Sequence, residues 1–217
     1  MVAATLDCQH GVDVVLEGSM ASWSPESFLG GHPALDFVNT VGGRTKDRDV
    51  EHLREFADAA DWAHAGNLLD SAEREFLLAR AERHPTQANE ALAELRAQRE
   101  ALHAFLVAGV ENVRCEPRVR DRVKSDIMTA YSAAELSERF RTRPAWAVDV
   151  AETGLRVLAR RLALTSGTLL AGDQRSQISV CGRCSWLFLD PSPTRRRRWC
   201  SMATCGNRAK VERHQQR

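Results

Sequence analysis

Four of the six cysteines in this 217-residue chain crowd into its last 37 residues, as Cys181-Gly-Arg-Cys184, fifteen further residues, then Cys200-Ser-Met-Ala-Thr-Cys205. Zinc takes four ligands in a tetrahedron, and thiolates are its preferred structural donors. A two-residue spacer lets the backbone turn back so that both sulfurs face one point. A four-residue spacer does the same when the second cysteine lies on the first turn of a helix. Four protein ligands leave no open coordination position, so the expected ion is one structural Zn²⁺ rather than a catalytic one. So short a segment also needs a staple, because it cannot bury enough apolar surface alone. Two disulfides, or a redox pair at Cys181 and Cys184, are the competing readings. A reducing compartment disfavours the first, and the missing βαβ pattern disfavours the second. His214 is a possible substitute ligand, but four thiolates already suffice. Cys8 and Cys115 have no partner at ligand spacing.

Between the two cysteine pairs stand Arg195, Arg196, Arg197 and Arg198, followed by Trp199. Adjacent guanidiniums repel one another unless a polyanion arrives, so phosphate contact is set against a merely solvated loop. Trp199 either stacks on a base or packs against the zinc knuckle. Ser201 is a candidate cap for a terminal helix beginning near Met202. That helix carries Asn207, Arg208, Lys210, Val211 and His214, several of which share a face. Asn and Arg suit bidentate contact with adenine and guanine edges. Arg208 and Glu212, four apart, are also spaced to pair with each other. Gly206 has no Cβ and permits close approach to the metal or to a phosphate.

Charge is unevenly distributed. The chain carries a formal net charge of +1. Residues 181–217 hold nine Lys/Arg and two Asp/Glu, or +7, which leaves 21 basic and 27 acidic residues, or −6, in 1–180. Such an asymmetry points to one end that meets a polyanion and a body that does not.

A body of helices must position this tail. Hydrophobic content of 43% and charged content of 27% are those of a globular protein with a real core. No apolar run approaches membrane-spanning length, and the N-terminus lacks the basic start of a signal peptide, so the expected compartment is the cytoplasm, with no membrane partner. Residues 1–24 read as a poorly ordered leader, and Met20 is an alternative start. Residues 28–44 place Ala34, Leu35, Phe37 and Val38 between two Gly-Gly pairs, as a short helix or a strand. Helical spacing follows in 50–65 (Leu53, Phe56, Ala57, Ala60, Ala63), stopped by Gly66-Asn67. A helix capped by Asp70 or Ser71 has Ala72, Phe76 and Ala79 turned inward. Pro85 opens a long helix to about Gly109 with Leu92, Leu95, Ala101, Leu102, Phe105 and Leu106. Pro117 opens another, with Val119, Val123, Ile127 and Met128 on one side. Rough period-two alternation in 136–142 and 144–150 (Phe140; Trp146, Val148, Val150) predicts a small hairpin. Residues 154–170 return to helix through Leu155, Val157, Leu158, Leu162 and Leu169, and 171–177 form a polar linker. The expected fold is mainly α with a small β-hairpin (α+β). Its organisation is a leader at 1–24, a helical domain at 25–175 and a four-cysteine zinc finger with a C-terminal helix at 176–217.

The segment from Cys181 to His214 closely resembles the CGNR zinc finger: the first cysteine pair, the Trp-Leu-Phe-Leu-Asp block at 186–190, the Arg-Arg-Trp-Cys-Ser-Met block, and Cys205-Gly206-Asn207-Arg208. Such fingers close bacterial proteins that begin with an ABATE domain, a group of stress-induced transcription regulators, and GGHPALDFVNTVGGR resembles that family's opening block. The middle of the chain matches only in its layout. The resemblance implies metal ligation by Cys181, Cys184, Cys200 and Cys205, and DNA binding through the finger. Two departures stand out. His32-Pro33 replaces more ordinary residues, and Pro191-Ser-Pro193-Thr replaces a Gly-containing loop, which stiffens the excursion carrying the arginines.

Trp186, Leu187, Phe188 and Leu189 are expected to form a strand, at least two of whose residues pack the finger onto the helical body. A single finger binds weakly, so a homodimer on two half-sites is expected, with the acidic body sensing a small-molecule effector or dimerising. The chain has no P-loop, G-x-S-x-G or H-E-x-x-H, and Asp36 with His32 is isolated, so no enzymatic activity is expected. An RNA-binding module and a protein-interaction module with a purely structural zinc site are the rival readings.

Overall fold

The structure is a computed structural model that describes residues 23–138, 141 and 145–215. Of the expected leader, residues 1–22 lie outside the described residues, as do Cys8 and Phe140. Trp23 packs against the body, edge-on to His52 with ring centroids 6.4 Å apart.

The opening block forms a helix, not a strand. In α1 (Pro33–Val38) the His32 ring accepts a hydrogen bond from the Ala34 amide at 3.2 Å, and Pro33 takes the first helical position, where its missing N–H costs nothing. His32-Pro33 is therefore a working helix start. Ala34, Leu35, Phe37 and Val38 are all fully buried, which makes this six-residue helix the centre of the core. The 26-residue α4 (Pro85–Val110) and α7 (Val157–Ala171) pack against it, and α2 (Phe56–Ala65) meets it through Trp62 on Phe37. α3 (Ser71–Arg83) packs on α2 and α4, and α5 (Pro117–Ser132) on α4 and α7, with the short α6 (Val150–Thr153) between α5 and α7 in the chain. Asp70 caps α3 with Glu73 reciprocating. Glu73 also holds Arg161 of α7 in a two-pronged pair at 2.5 and 2.8 Å. Leu92, Leu95, Leu102 and Leu106 bury the inner stripe of α4, as their spacing predicts.

Several local expectations need correction. The helix expected from residue 50 begins at Phe56. Residues 50–55 run extended, with a bridge between Val41 and Glu51. The backbone there has tertiary partners: Arg96 donates to the carbonyls of Leu53 and Arg54, and Glu51 accepts from the Leu53 amide at 2.9 Å. On α3 the fully buried residue is Leu77, while Ala72 and Ala79 are exposed and Phe76 is half-buried. On α5, Met128 is exposed and Val123 and Ala130 are buried. On α3 this is a rotation of about 100°, one residue along the helix, whereas on α5 Val123 and Ile127 face the core as expected and only Met128 lies off that face.

The expected hairpin exists but is two residues per strand, β1 (Glu135–Leu136) antiparallel to β2 (Trp146–Ala147), and Val150 belongs to α6. A second antiparallel hairpin, β3 (Ile178–Val180) with β4 (Leu187–Leu189), pairs Ile178 with Leu189 and Val180 with Leu187. The polar segment before it is wound as a 3-10 turn, Asp173–Gln177. Alternation on β4 gives its two faces different tasks. Leu187 and Leu189, with Ile178, join the helical core, whereas Phe188 joins the four cysteines. The strand thus packs the finger onto the body. The terminal helix α8 (Asn207–Gln215) follows a wide π-helical turn, Met202–Gly206, and buries none of its side chains. Among the described residues no helix is long and apolar enough to cross a membrane.

Candidate metal centre and cationic face

The turn of the β3–β4 hairpin presents Cys181 and Cys184, and the approach to α8 presents Cys200 and Cys205. All four sulfurs lie within 4.8 Å of one another, and all four residues are buried. The Cys184–Cys200 and Cys200–Cys205 sulfur separations are both 3.7 Å. A tetrahedron with zinc–sulfur bonds of about 2.3 Å has edges of about 3.8 Å, so the set is already spaced for the ion and far too wide for disulfides. Charge gives the same answer. The Cys184 thiol is pushed up to about 12, first by its hydrogen bond with Cys181, and Cys200 is raised by both neighbours while Cys181 is lowered. Four sulfurs this close cannot all ionise without a cation, and a divalent ion is what permits it. Cys181, Cys184, Cys200 and Cys205 form a structural zinc site. His214 is exposed on α8, outside that cluster, and Cys115 is a half-buried free thiol.

The two knuckles are cross-tied by the Gly182 amide donating to the Arg198 carbonyl at 2.8 Å. Trp199 packs against the cluster, as one of its two sequence readings holds. Gly206 is needed for a contact different from the expected one. A Cβ there would lie 2.8 Å from the Met202 sulfur and 3.2 Å from the Trp199 ring, so its neighbours are side chains of the same knuckle.

Much of what fixes this centre comes from the other end of the chain. The Asn39 side chain, buried at the end of α1, donates to the Leu187 carbonyl at 2.8 Å and accepts from the Leu187 amide at 2.9 Å. The Trp186 indole donates to the Val41 carbonyl at 3.1 Å, and the Leu189 amide to the Gly30 carbonyl at 2.8 Å. Gly43 adopts φ +95°, and a Cβ there would meet the Trp186 ring at 2.7 Å, so both conformation and space exclude other residues. Lys46 donates to the carbonyl of Cys181, and the loop that carries it is tied to α4 through Arg48–Glu100 at 2.7 Å and Glu51–Arg99 at 2.6 Å. Asn39 and Lys46 escape sequence reasoning. An Asn after an apolar helix and a Lys in a polar loop carry no signal of partners more than a hundred residues away.

Two buried titratable groups sit at this seam. Asp36 accepts from the Gly30 amide at 2.7 Å, and burial pushes its carboxyl up to about 6. His103 of α4 donates to the Ser185 carbonyl at 3.0 Å. Burial, then the charge of Arg48, pushes its ring down to about 4. Their linkages oppose. Below about pH 6 the folded chain holds the Asp36 proton better than the unfolded chain, so that group adds stability as pH falls. Between pH 6.5 and 4 the unfolded chain takes the His103 proton first, so that group removes stability over the same range. Asp36→Asn is expected to expose the second effect, with a melting temperature that falls more steeply than wild type from about pH 6.5 to about 4.5. His103→Gln is expected to do the reverse, each by about 2–3 kcal/mol across the window.

The cationic residues divide by contact. Arg197, exposed like its neighbours, folds back over the knuckle: its guanidinium lies 4.4 Å over the Phe188 ring and donates to the carbonyls of Trp199, Cys200 and Leu189. Arg198 lies 5.2 Å from the Trp199 ring, and Arg195, at φ +45°, reaches Ser176 at 3.2 Å. Arg196 is exposed. The excursion is closed by Asp190, which accepts from Ser192 and from the Arg197 amide. The Ser192 hydrogen bond, first, holds its carboxyl below the usual range. On α8, Asn207, Arg208 and Lys210 are exposed. Glu212 pairs with Arg183 rather than with Arg208, so Arg208 is left facing solvent.

A helical body closed by a four-cysteine finger whose strand enters its core is now in place, and comparison with known families assigns both parts. Residues 31–173 match the ABATE family, described as "Putative stress-induced transcription regulator". The chain belongs to the ABATE family. Residues 177–217 match the CGNR zinc finger, in the order the sequence resemblance implies. No curated protein matches the chain. The seam between Asn39, Gly43, Lys46 and β4 is thus the joint between the ABATE body and its CGNR finger.

Proposed function

We propose that this ABATE protein is a zinc-dependent, non-enzymatic DNA-binding transcription regulator of the cytoplasm, whose finger contacts DNA. The observation that carries the reading is α8: held at one end by the metal centre, it buries nothing and offers Asn207, Arg208 and Lys210 to solvent. A helix presented by a zinc site is a known entry to the major groove. Arg195, Arg196 and Arg198 supply phosphate contacts beside it. Arg197 does so only indirectly, by bracing the knuckle. Four thiolates with Zn²⁺ contribute −2, so the finger keeps about +5 of its formal +7. With about five phosphates contacted, log K is expected to fall against log salt with a slope of about −4 to −5.

We assign the ABATE body either dimerisation or the binding of a small-molecule effector. Selection from random oligonucleotides by the zinc-loaded protein tests the reading. A defined motif is expected, lost in Arg208→Ala if that residue reads a base edge. A motif that survives with uniformly weaker binding moves Arg208 to the backbone. Retention of single-stranded RNA in preference to duplex favours the RNA-binding reading, and no retention at all favours a protein-interaction module.

A further inference from the structure

α8 and the second knuckle enclose an open groove of about 380 Å³, lined by Trp199, Met202, Gly206, Asn207 and Ala209 and by the cations Lys210 and Arg213 with His214. From this groove we infer that the finger takes one unpaired nucleotide of a DNA strand, base on the floor and phosphate at the rim. The inference rests on the DNA-binding reading above and narrows it to a substrate class and a site.

Met202 and part of the Trp199 ring give the groove an apolar floor. Met202 is 67% exposed although it lies against Gly206, whose missing Cβ leaves the thioether and the Trp199 ring side by side. The volume falls within the ~300–1,000 Å³ of sites that hold a small molecule. The rim is cationic and unopposed. No carboxylate lines the groove, the adjacent Glu212 is paired with Arg183, and Lys210 and Arg213 make no ion pair among the described residues. A bare phosphate would leave the exposed Met202 thioether in water. A stacked base pair has both its faces covered and offers only edges. An unstacked base alone has a free face for the floor while its own phosphate meets the rim. Arg208, which does not line the groove, is left for neighbouring backbone or edges.

The test measures binding of full-length, zinc-loaded protein by fluorescence anisotropy to four probes of one sequence. They are paired duplex DNA, the same duplex with one bulged nucleotide, single-stranded DNA and single-stranded RNA. The bulged duplex is expected to bind about tenfold above the paired duplex, since its one unstacked base adds a contact with this floor to those the paired duplex already makes. Met202→Ala is expected to erase that preference and Met202→Leu to keep it. Lys210→Gln with Arg213→Gln is expected to lower the salt slope by about 0.7 to 0.9, the share of the one phosphate at the rim. Zinc content of each variant is measured alongside. Equal affinity for paired and bulged duplex, unmoved by Met202→Ala but abolished by Arg195→Gln with Arg196→Gln, overturns the groove assignment and leaves DNA binding standing. RNA bound more tightly than DNA overturns the choice of strand. No binding to any probe overturns both readings.

Discussion

Stripping the zinc is expected to melt the whole protein, not its finger alone. Leu187, Leu189 and Ile178 belong to the same apolar cluster as α1, α2, α4 and α7, so a finger that unravels takes part of the central core with it. Structural zinc binding to finger peptides is worth about 10–16 kcal/mol, and a domain of this kind is stable by only about 5–15 kcal/mol. Chelation of the reduced protein, or Cys200→Ser, should therefore collapse the helical circular-dichroism transition by tens of degrees or remove it. Readdition of Zn²⁺ should restore the first but not the second. Two separate transitions, with the helical one unmoved by chelator, would show that the β3–β4 hairpin contributes nothing to the body.

Asn39→Ala should be the most damaging single change outside the cysteines. One amide satisfies both backbone groups of Leu187, at 2.8 and 2.9 Å, in a site where Asn39 is 2% exposed and Leu187 is fully buried. Removing it leaves a buried donor and a buried acceptor without partners, at about 1–3 kcal/mol each. The denaturant midpoint should fall by an amount equivalent to about 3–5 kcal/mol with an unchanged slope, and zinc should exchange faster with a chromophoric chelator. Asn39→Asp should be no milder, because it keeps an acceptor but brings a negative charge into the same buried position. A midpoint shift below about 1 kcal/mol would mean that the clamp is dispensable.

What can be read from the sequence is the part whose partners are close by. The zinc ligands are legible because their chemistry demands local spacing, and the 26-residue α4 because its leucines repeat at helical intervals from Leu92 to Leu106. The weakly amphipathic α3 is misread by one residue, at Leu77, and on α5 only Met128 is misplaced, because Ala and Met are tolerated on either side of an apolar boundary. Residues 50–55 are misread for a different reason: Arg96, more than forty positions away, takes the carbonyls that a helix would have used. The same distance hides the joint. Asn39 and Leu187 are 148 residues apart, and nothing local in GGHPALDFVNTVGGR tells that its glycines and its asparagine are shaped for a tryptophan strand near the far end. Arg197 shows the converse error. In a run of four identical residues, composition cannot distinguish the one that folds back over Phe188.

That long closure bears on the order in which the protein is made. Translation delivers α1 about 150 residues before β4, so the helices that emerge first must wait for Leu187 and Leu189 to fill their core and for Leu187 to meet the Asn39 amide. Contacts of such high sequence separation form late and slowly. The nascent chain therefore waits with an open seam until its final cysteines clear the ribosome, and capture of a metal ion is the event that shuts it.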